Sequence, residues 1–392
     1  MKNILFLLTS VLCIVITTNS LAQTPQKIYG KNKVLKSNEY YLQQIPLWKT
    51  EVDKNPKNAD AWFNYYRANR NAYIKGEEDN SQQSKGISRF DRLKNIVDEM
   101  EKQVPNSYEY NYVKWLNGNN DLSLFSYLEK AHNLSPQSSE PIMNLIFYYE
   151  IKGDYIKRNE NIEAFYKLGD YSPGLLNYSY NLLSALDKNA IIFTEGDKDT
   201  EAILLLTQGK KYRPDVQMLN VNLLLIKEYR ERIFNELEIP QLDFEPIANE
   251  ENYEKFQQLI IKLVSENKKT RPVYAAVTVT GAYTNTIIKD LYLTGLAYLY
   301  SSNNIDNMPL LGQNVEQVFL LDYLKEYFSI NDISVGNVNS MNGNYLFPFA
   351  ELSHYYYRIG NISNADYYKK LALKVATDGE ILDKYETYFT EK

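Results

Sequence analysis

Between residues 190 and 200 the chain reads Ala190-Ile191-Ile192-Phe193-Thr194-Glu195-Gly196-Asp197-Lys198-Asp199-Thr200, an apolar run that stops at an acidic turn and re-enters a helix-like pattern. An uninterrupted apolar run of this length suits a strand covered on both faces, which is the condition of a parallel sheet inside an α/β unit. Loops at the carboxyl ends of such strands carry free backbone groups and unpaired side chains, and open α/β sheets place ligand sites there. The residues around the run are of another kind, because they repeat at helical spacing.

The change of period predicts an insert. From Lys188 to about Ser302, short β-branched runs alternate with helical stretches: strands are expected at Ala190 to Thr194, Val216 to Asn220 and Val273 to Thr280. Helices are expected near Thr200 to Lys210, Lys227 to Leu237 and Tyr253 to Ser265. Strand–helix alternation implies parallel pairing through right-handed crossovers. The expected fold is mostly α, with helical-repeat arms flanking a small three-layer α/β insert of parallel, Rossmann-like type. The units are residues 23–187, 188–305 and 306–392, after a leader of residues 1–22.

The arms resemble tetratricopeptide repeats. From Ser135 a helix-starting Pro precedes an apolar face at Ile142, Leu145, Ile146 and Tyr149; Gly153-Asp154-Tyr155 turns into a second helix carrying Ile162 and Phe165. Spacings of three and four put these residues on one face. Arg158 departs from the pattern, which favours a small residue there. In the C-terminal arm, Phe349, Leu352, Ser353 and Tyr356 form the first face, Gly360 the turn, and Ala365, Tyr368 and Ala372 the second. A third start lies at Asn55-Pro56, followed by Trp62, Tyr65 and Tyr66, with a polar insertion from Gly76 to Gly86 read as a mobile loop. Further helices are expected over Arg89 to Gln103, Ser107 to Asn117, Leu122 to Asn133 and Pro173 to Leu186.

The N-terminus has a signal-peptide layout: Lys2, an apolar core from Ile4 to Ile16, a polar step, then Ser20-Leu21-Ala22 before Gln23. Export to the periplasm or cell envelope of a Gram-negative-type bacterium follows, with no transmembrane segment after cleavage. The single cysteine, Cys13, lies inside that core and follows Leu12 rather than the small residue a lipoprotein signal needs, so the mature chain has no thiol chemistry. The 43 Lys plus Arg against 49 Asp plus Glu form no basic block that would neutralise a run of phosphates, and nucleic acid is not expected as a partner. The 35 Tyr and 15 Phe suit the grooves between stacked helices, where a ring is buried and a hydroxyl stays wet.

From Asn189 to about Leu373 the chain resembles the soluble C-terminal region of a bacterial family of protein O-mannosyltransferase-like membrane proteins. The residues that carry it are Asn189 to Thr194 with Gly196-Asp197 and Asp199-Thr200; Arg213-Pro214-Asp215-Val216 with Leu219-Asn220 and Leu223-Leu224; Arg271 to Ala275; and Leu293 with Gly295 to Tyr298. The resemblance implies a shared soluble module rather than transferase activity. Lys198 stands where the family has Asn, and Glu201-Ala202 where it has an aromatic-proline pair, so an aromatic face for stacking on a sugar is missing at that point.

Two readings of the acidic turn stay open. Asp197 and Asp199 with Glu195 and the Thr200 hydroxyl are oxygen ligands of the kind a divalent cation takes. The same Asp197 or Asp199, with Thr200, would cap the following helix while Gly196 eases the turn. Asn220, Asn222 and Thr280 are expected at the same strand ends and would complete a pocket. No His-based triad, phosphate loop or dinucleotide fingerprint is present. Two functions follow. One is an exported envelope scaffold or adaptor that recognises an envelope protein partner, with the insert in a structural or ligand-sensing role. The other is a glycan- or metal-dependent envelope enzyme or accessory with its site around Asp197 and Asp199. A cleft at those strand ends favours the second, and a loop packed shut favours the first.

Overall fold

The computed structural model describes residues 24–74, 88–119, 121–268, 270–325 and 332–386. The leader and the inserted loop from Gly76 to Gly86 lie outside the described residues. Among those described, eight helices precede the sheet: α1 (Asn38–Lys54), α2 (Ala59–Asn71), α3 (Arg89–Gln103), α4 (Tyr108–Asn117), α5 (Phe125–Leu134), α6 (Ser139–Lys152), α7 (Tyr155–Leu168) and α8 (Pro173–Ser184). Their starts are written in the sequence. Ser37, Asn58, Ser88, Ser107, Asp154 and Ser172 each accept a first-turn backbone N–H at the heads of α1, α2, α3, α4, α7 and α8.

The α6–α7 pair forms as the repeat pattern requires. Gly153 closes α6 in the left-handed conformation, φ 71°, and Ile142, Ile146, Ile162 and Phe165 are buried. The non-consensus Arg158 is also buried: it forms an ion pair with Glu150 and donates to Gln208 Oε1 at 3.1 Å, so a charge pair fills the place of a small residue.

The sheet follows, built from β1 (Ile191–Thr194), β2 (Gln217–Asn220), β3 (Val273–Ala276), β4 (Leu291–Leu293) and β5 (Ala297–Tyr300) in the order β2-β1-β3-β5-β4. The first three strands are parallel, with Ile191 opposite both Gln217 and Val273. The expectation of an all-parallel sheet is corrected at the other edge, where β5 runs antiparallel to β3 and to β4. Its cause is a tight hairpin. Gly295 has φ 152°, and a β-carbon there would lie 2.7 Å from the Phe319 ring, so the chain reverses at the one residue that permits it.

Three helices accompany these strands: α9 (Asp197–Leu204), which runs on through a π-helical turn at Leu205–Gly209, α10 (Lys227–Glu236) and α11 (Glu250–Asn267). The short α12 (Gly281–Thr284), α13 (Met308–Gln313), α14 (Asp322–Lys325) and α15 (Val335–Asn342) lead to the closing pair, α16 (Leu346–Arg358) and α17 (Ile362–Asp378). In that pair Phe349, Leu352, Ser353, Ala365, Tyr368 and Ala372 are buried as expected, and the Ser353 hydroxyl donates to the Ala365 carbonyl at 2.8 Å.

Two apolar cores result. The first runs from Ile28 to Leu145 within the leading helices; the second joins α6–α8, the sheet and α16–α17. Helix α6 serves both, giving Leu145 to one and Ile142 and Ile146 to the other. An irregular segment, residues 24–37, laces the arms together. The Ile28 N–H donates to Asn64 Oδ1 at 2.7 Å, and buried Asn337 on α15 donates to the carbonyls of Lys31 and Asn32 at 3.0 and 2.8 Å. No helix among the described residues is long and apolar enough to cross a membrane.

Candidate functional site

The acidic turn sits where β1 ends and α9 begins, and its polar groups divide into two sets. One set is consumed by the protein. Thr200 Oγ1 donates to the Gly196 carbonyl at 2.6 Å, accepts from Asn220 Nδ2 at 2.8 Å and lies 2.8 Å from Thr194 Oγ1. Asn220 Oδ1 accepts the backbone N–H groups of Asn222 and Leu223, and Asn222 Nδ2 donates to the Glu195 carbonyl at 2.9 Å. The Glu195 carboxylate accepts from the Thr280 N–H at 2.7 Å and its hydroxyl at 3.3 Å, which ties the loop after β3 to the turn. Glu195, Gly196, Thr200, Asn220, Asn222 and Thr280 are therefore brought together as expected, largely through bonds to one another.

Asp199 belongs to the same set. It is buried; one carboxylate oxygen accepts from the Thr200 N–H at 2.9 Å and the other from the Thr278 hydroxyl. Burial pushes its carboxyl up to about 6, against the lowering effect of those hydrogen bonds. The capping expectation is corrected in part: the N-cap of α9 is Gly196, without a side-chain cap, and Asp199 meets a first-turn N–H from within the helix. Asp199 faces Thr278, whereas Asp197 opens away from it, and among the described residues no group of three or more His, Cys, Asp or Glu is disposed to hold a metal.

The second set faces a cleft of about 1040 Å³ between the leading helices and the strand ends, which Glu195, Asn220 and Asn222 also line. Asp197 and Glu201 lie one helical turn apart on α9, so both point into it. Glu201 is buried at the cleft wall; desolvation pushes its carboxyl up to about 8, the nearby Asp197 adds to this, and hydrogen bonds to Asn32 and Tyr171 oppose it. Burial likewise raises Asp197. The opposite wall carries Lys31 and Arg70. Helix α6 forms the floor, presenting Glu140, Met143, Asn144, Phe147, Tyr148 and Ile151 along about 16 Å of axis.

The floor fixes the direction of the cleft. At its Glu140 end lies Arg67, ion-paired with Glu140. At its Ile151 end lies the segment before α10, held there by Lys152–Glu228 at 2.7 Å and by Arg232 Nη2 donating to the Glu150 carbonyl at 2.5 Å. Leu225, Ile226 and the exposed Ile247 line that end. Lys227 lines that end as well, so charged and apolar side chains alternate along the cleft.

Lys31, Arg70 and Glu201 were not singled out as site residues from the sequence. Lys31 lies in a segment without periodicity, and the Arg70 wall is brought opposite the strand ends only by the fold. Glu201 did carry a signal: an acid on the inward face of a short helix, at the position where the resemblance expects an aromatic.

The TMEM260-associated domain 2 family matches residues 175–238, the stretch from α8 through β1, the acidic turn and β2 into α10. Among solved structures, the human IFIT1 dimer with m7Gppp-AAAA and a monomeric IFIT1 mutant with Gppp-AAAA are each similar at 14% identity, over 87% of this chain and 68% of that chain, with a TM-score of 0.28. The search of curated proteins gave no match.

Proposed function

We propose that this is an exported helical-repeat recognition protein of the periplasm or cell envelope, which holds part of an envelope protein partner in the cleft between its leading helices and the strand ends of its α/β unit. The observation that carries the reading is the cleft. At about 1040 Å³ it is at the upper end of ligand-site volumes, and both apolar and charged side chains line it. Helical-repeat arms supply extended surfaces for such recognition, and the aromatic residues on the α6 floor give contact area at low entropic cost.

The second reading, a glycan- or metal-dependent enzyme or accessory, draws support from the same cleft because it reaches Asp197. Asp199 weakens it, since both of its oxygens are bonded to Thr200 and Thr278. A photo-crosslinking amino acid at Tyr148 or Asn222, compared with one at Ile288 or Tyr367 outside the cleft, tests the proposal in the cell envelope. A discrete adduct from the cleft positions alone is expected. Adducts only from the outer positions, with the protein folded, would remove it.

A further inference from the structure

Residues 26–32 belong to no helix or strand, and the leading helices hold them as a bound peptide is held. On α1, Gln44 Oε1 accepts the Gln26 N–H at 2.7 Å and Trp48 Nε1 donates to the Gln26 carbonyl at 2.9 Å. On α2, Asn64 Oδ1 accepts the Ile28 N–H at 2.7 Å and Arg67 Nη1 donates to the Ile28 carbonyl at 3.0 Å. Exchange of both main-chain groups at every second residue is the pattern of an antiparallel ladder, and here helix side chains stand where a neighbouring strand would. Asn71 Nδ2 continues it to the Tyr29 carbonyl at 3.1 Å. Gln44 and Trp48 are four residues apart, and Asn64, Arg67 and Asn71 three and four apart, so each helix turns one face to the segment.

A face that only packed against its own chain would be apolar. Gln44, Asn64, Arg67 and Asn71 are instead polar and at least nine-tenths buried, and the main chain of the segment gives each of them a partner. The seat reads little of the sequence it holds: Ile28 is anchored in the core of the leading helices, whereas Gln26 and Lys27 are exposed. Past Lys31 and Asn32, whose carbonyls Asn337 holds, Leu35, Lys36 and Ser37 form an exposed tether into α1. Of the five clamp side chains only Arg67 and Asn71 also line the cleft, so the seat is a second place. A helical partner has bonded its main-chain groups internally, and an extended one offers them at alternate residues. We propose that this face of α1 and α2 is a peptide seat, filled in cis by residues 26–32 as a tethered ligand and in trans by an extended segment of another polypeptide with an aliphatic residue in the place of Ile28. The tether gives the cis segment an effective concentration on the order of millimolar, which keeps weak competitors out.

The test uses the full mature chain with a protease site inserted between Leu35 and Lys36 and cut after folding. A labelled peptide of residues 24–35, followed by fluorescence anisotropy, should exchange saturably into the cut chain and bind the uncut chain at least about tenfold more weakly. The peptide with Gln26→Ser and Lys27→Ser should bind as the native one does, and a Ser/Gly peptide with Val at the anchor should displace it. Ile28→Asp, or an ester oxygen in place of the Ile28 N–H, should weaken binding at least about tenfold. Asn64→Leu in the cut chain should cancel the difference between the native and ester peptides. In the uncut chain, amide exchange at Gln26 and Ile28 should run through an opening that leaves α1 and α2 protected. A cut chain that unfolds, a cut segment that no excess of peptide displaces, or exchange at Ile28 only on global unfolding would make residues 26–32 part of the core and overturn the inference. Binding confined to the native sequence would overturn it as well, because the seat would then have no partner in trans.

Discussion

Arg213 closes on Asp215 through two hydrogen bonds of 3.0 Å, Nε to Oδ1 and Nη2 to Oδ2. The same guanidinium donates to the carbonyls of Leu183 and Leu186 at 2.7 Å and of Asp187 at 2.6 Å, while Asp215 accepts the Asn189 N–H at 2.8 Å. The Arg213 hydrogen bond holds the Asp215 carboxyl down at about 2. These six residues stitch the end of α8 to the starts of β1 and β2, outside the cleft lining. Arg213→Ala should cost about 2–3 kcal/mol in urea unfolding, because it removes five hydrogen bonds, two of them to a carboxylate. Arg213→Lys should recover little, since an ammonium cannot reproduce the fork. Recovery by Lys to within experimental error would show that charge, not geometry, is what matters there.

Asp197 and Asp199 should separate on substitution. Asp199→Ala leaves the Thr200 N–H and the Thr278 hydroxyl without their acceptor and should cost about 1–3 kcal/mol; Asp199→Asn keeps an acceptor and should cost less. Asp197→Ala should stay within about 0.5 kcal/mol. Calcium or magnesium should leave the melting temperature unchanged. A rise seen with native protein and lost in the Asp197→Asn, Asp199→Asn double variant would restore the cation site.

How much of this was legible depended on burial pattern and on distance along the chain. β1 could be read because all four residues are buried and the first three are apolar, and α3 because its apolar face repeats at helical spacing up to Gln103. The β4–β5 hairpin could not, because its strands are three or four residues long and their tyrosines are only half-buried, so neither period appears. Asn220 and Thr280 were placed at the strand ends by topology alone. The cleft escaped because its walls come from Lys31, Arg70, Glu140 and Glu201, residues that no local pattern relates. The Arg213 and Arg271 motifs marked the right segment, yet their side chains serve the strand starts: Arg271 Nε donates to the Asn189 carbonyl at 2.9 Å.

Export makes a separate prediction. Ser20 and Ala22 flank Leu21 as small residues do at a cleavage site, so the mature chain should begin at Gln23. Intact mass of protein from the envelope fraction decides it. A species retaining residues 1–22, or one carrying a diacylated cysteine, contradicts the reading.

Asn337 tests the lacing of the arms. Its amide bridges the carbonyls of Lys31 and Asn32 from a fully buried position. Asn337→Ala removes both donations at once and should cost about 1–3 kcal/mol. Because Lys31 lines the cleft, the same variant should weaken the cross-link formed from Tyr148 more than a control of similar stability loss elsewhere, such as Arg213→Ala. Equal effects on cross-linking would mean that the segment acts only on stability.

Stability should fall as pH rises from about 4 to 8, the reverse of a protein held by carboxylate salt bridges. Glu201 has its carboxyl pushed up to about 8 from an ordinary 4.5, and Asp199 up to about 6 from 3.8, in both cases chiefly by burial. Between the ordinary and raised values the folded chain holds protons that the unfolded chain has released, so the slope of unfolding free energy against pH is negative. Each group contributes at most about 1.4 kcal/mol per pH unit. Below pH 4 their contribution is fully present, and above pH 8 it is lost. Glu201→Gln keeps the shape and cannot ionise, so urea midpoints for this variant should lose most of the decline between pH 6 and 8 and exceed those of the native protein at pH 8.5. An unchanged pH profile in Glu201→Gln would show that Glu201 is ionised in the fold, and a ligand cation or a water-filled cleft would then have to stabilise that charge.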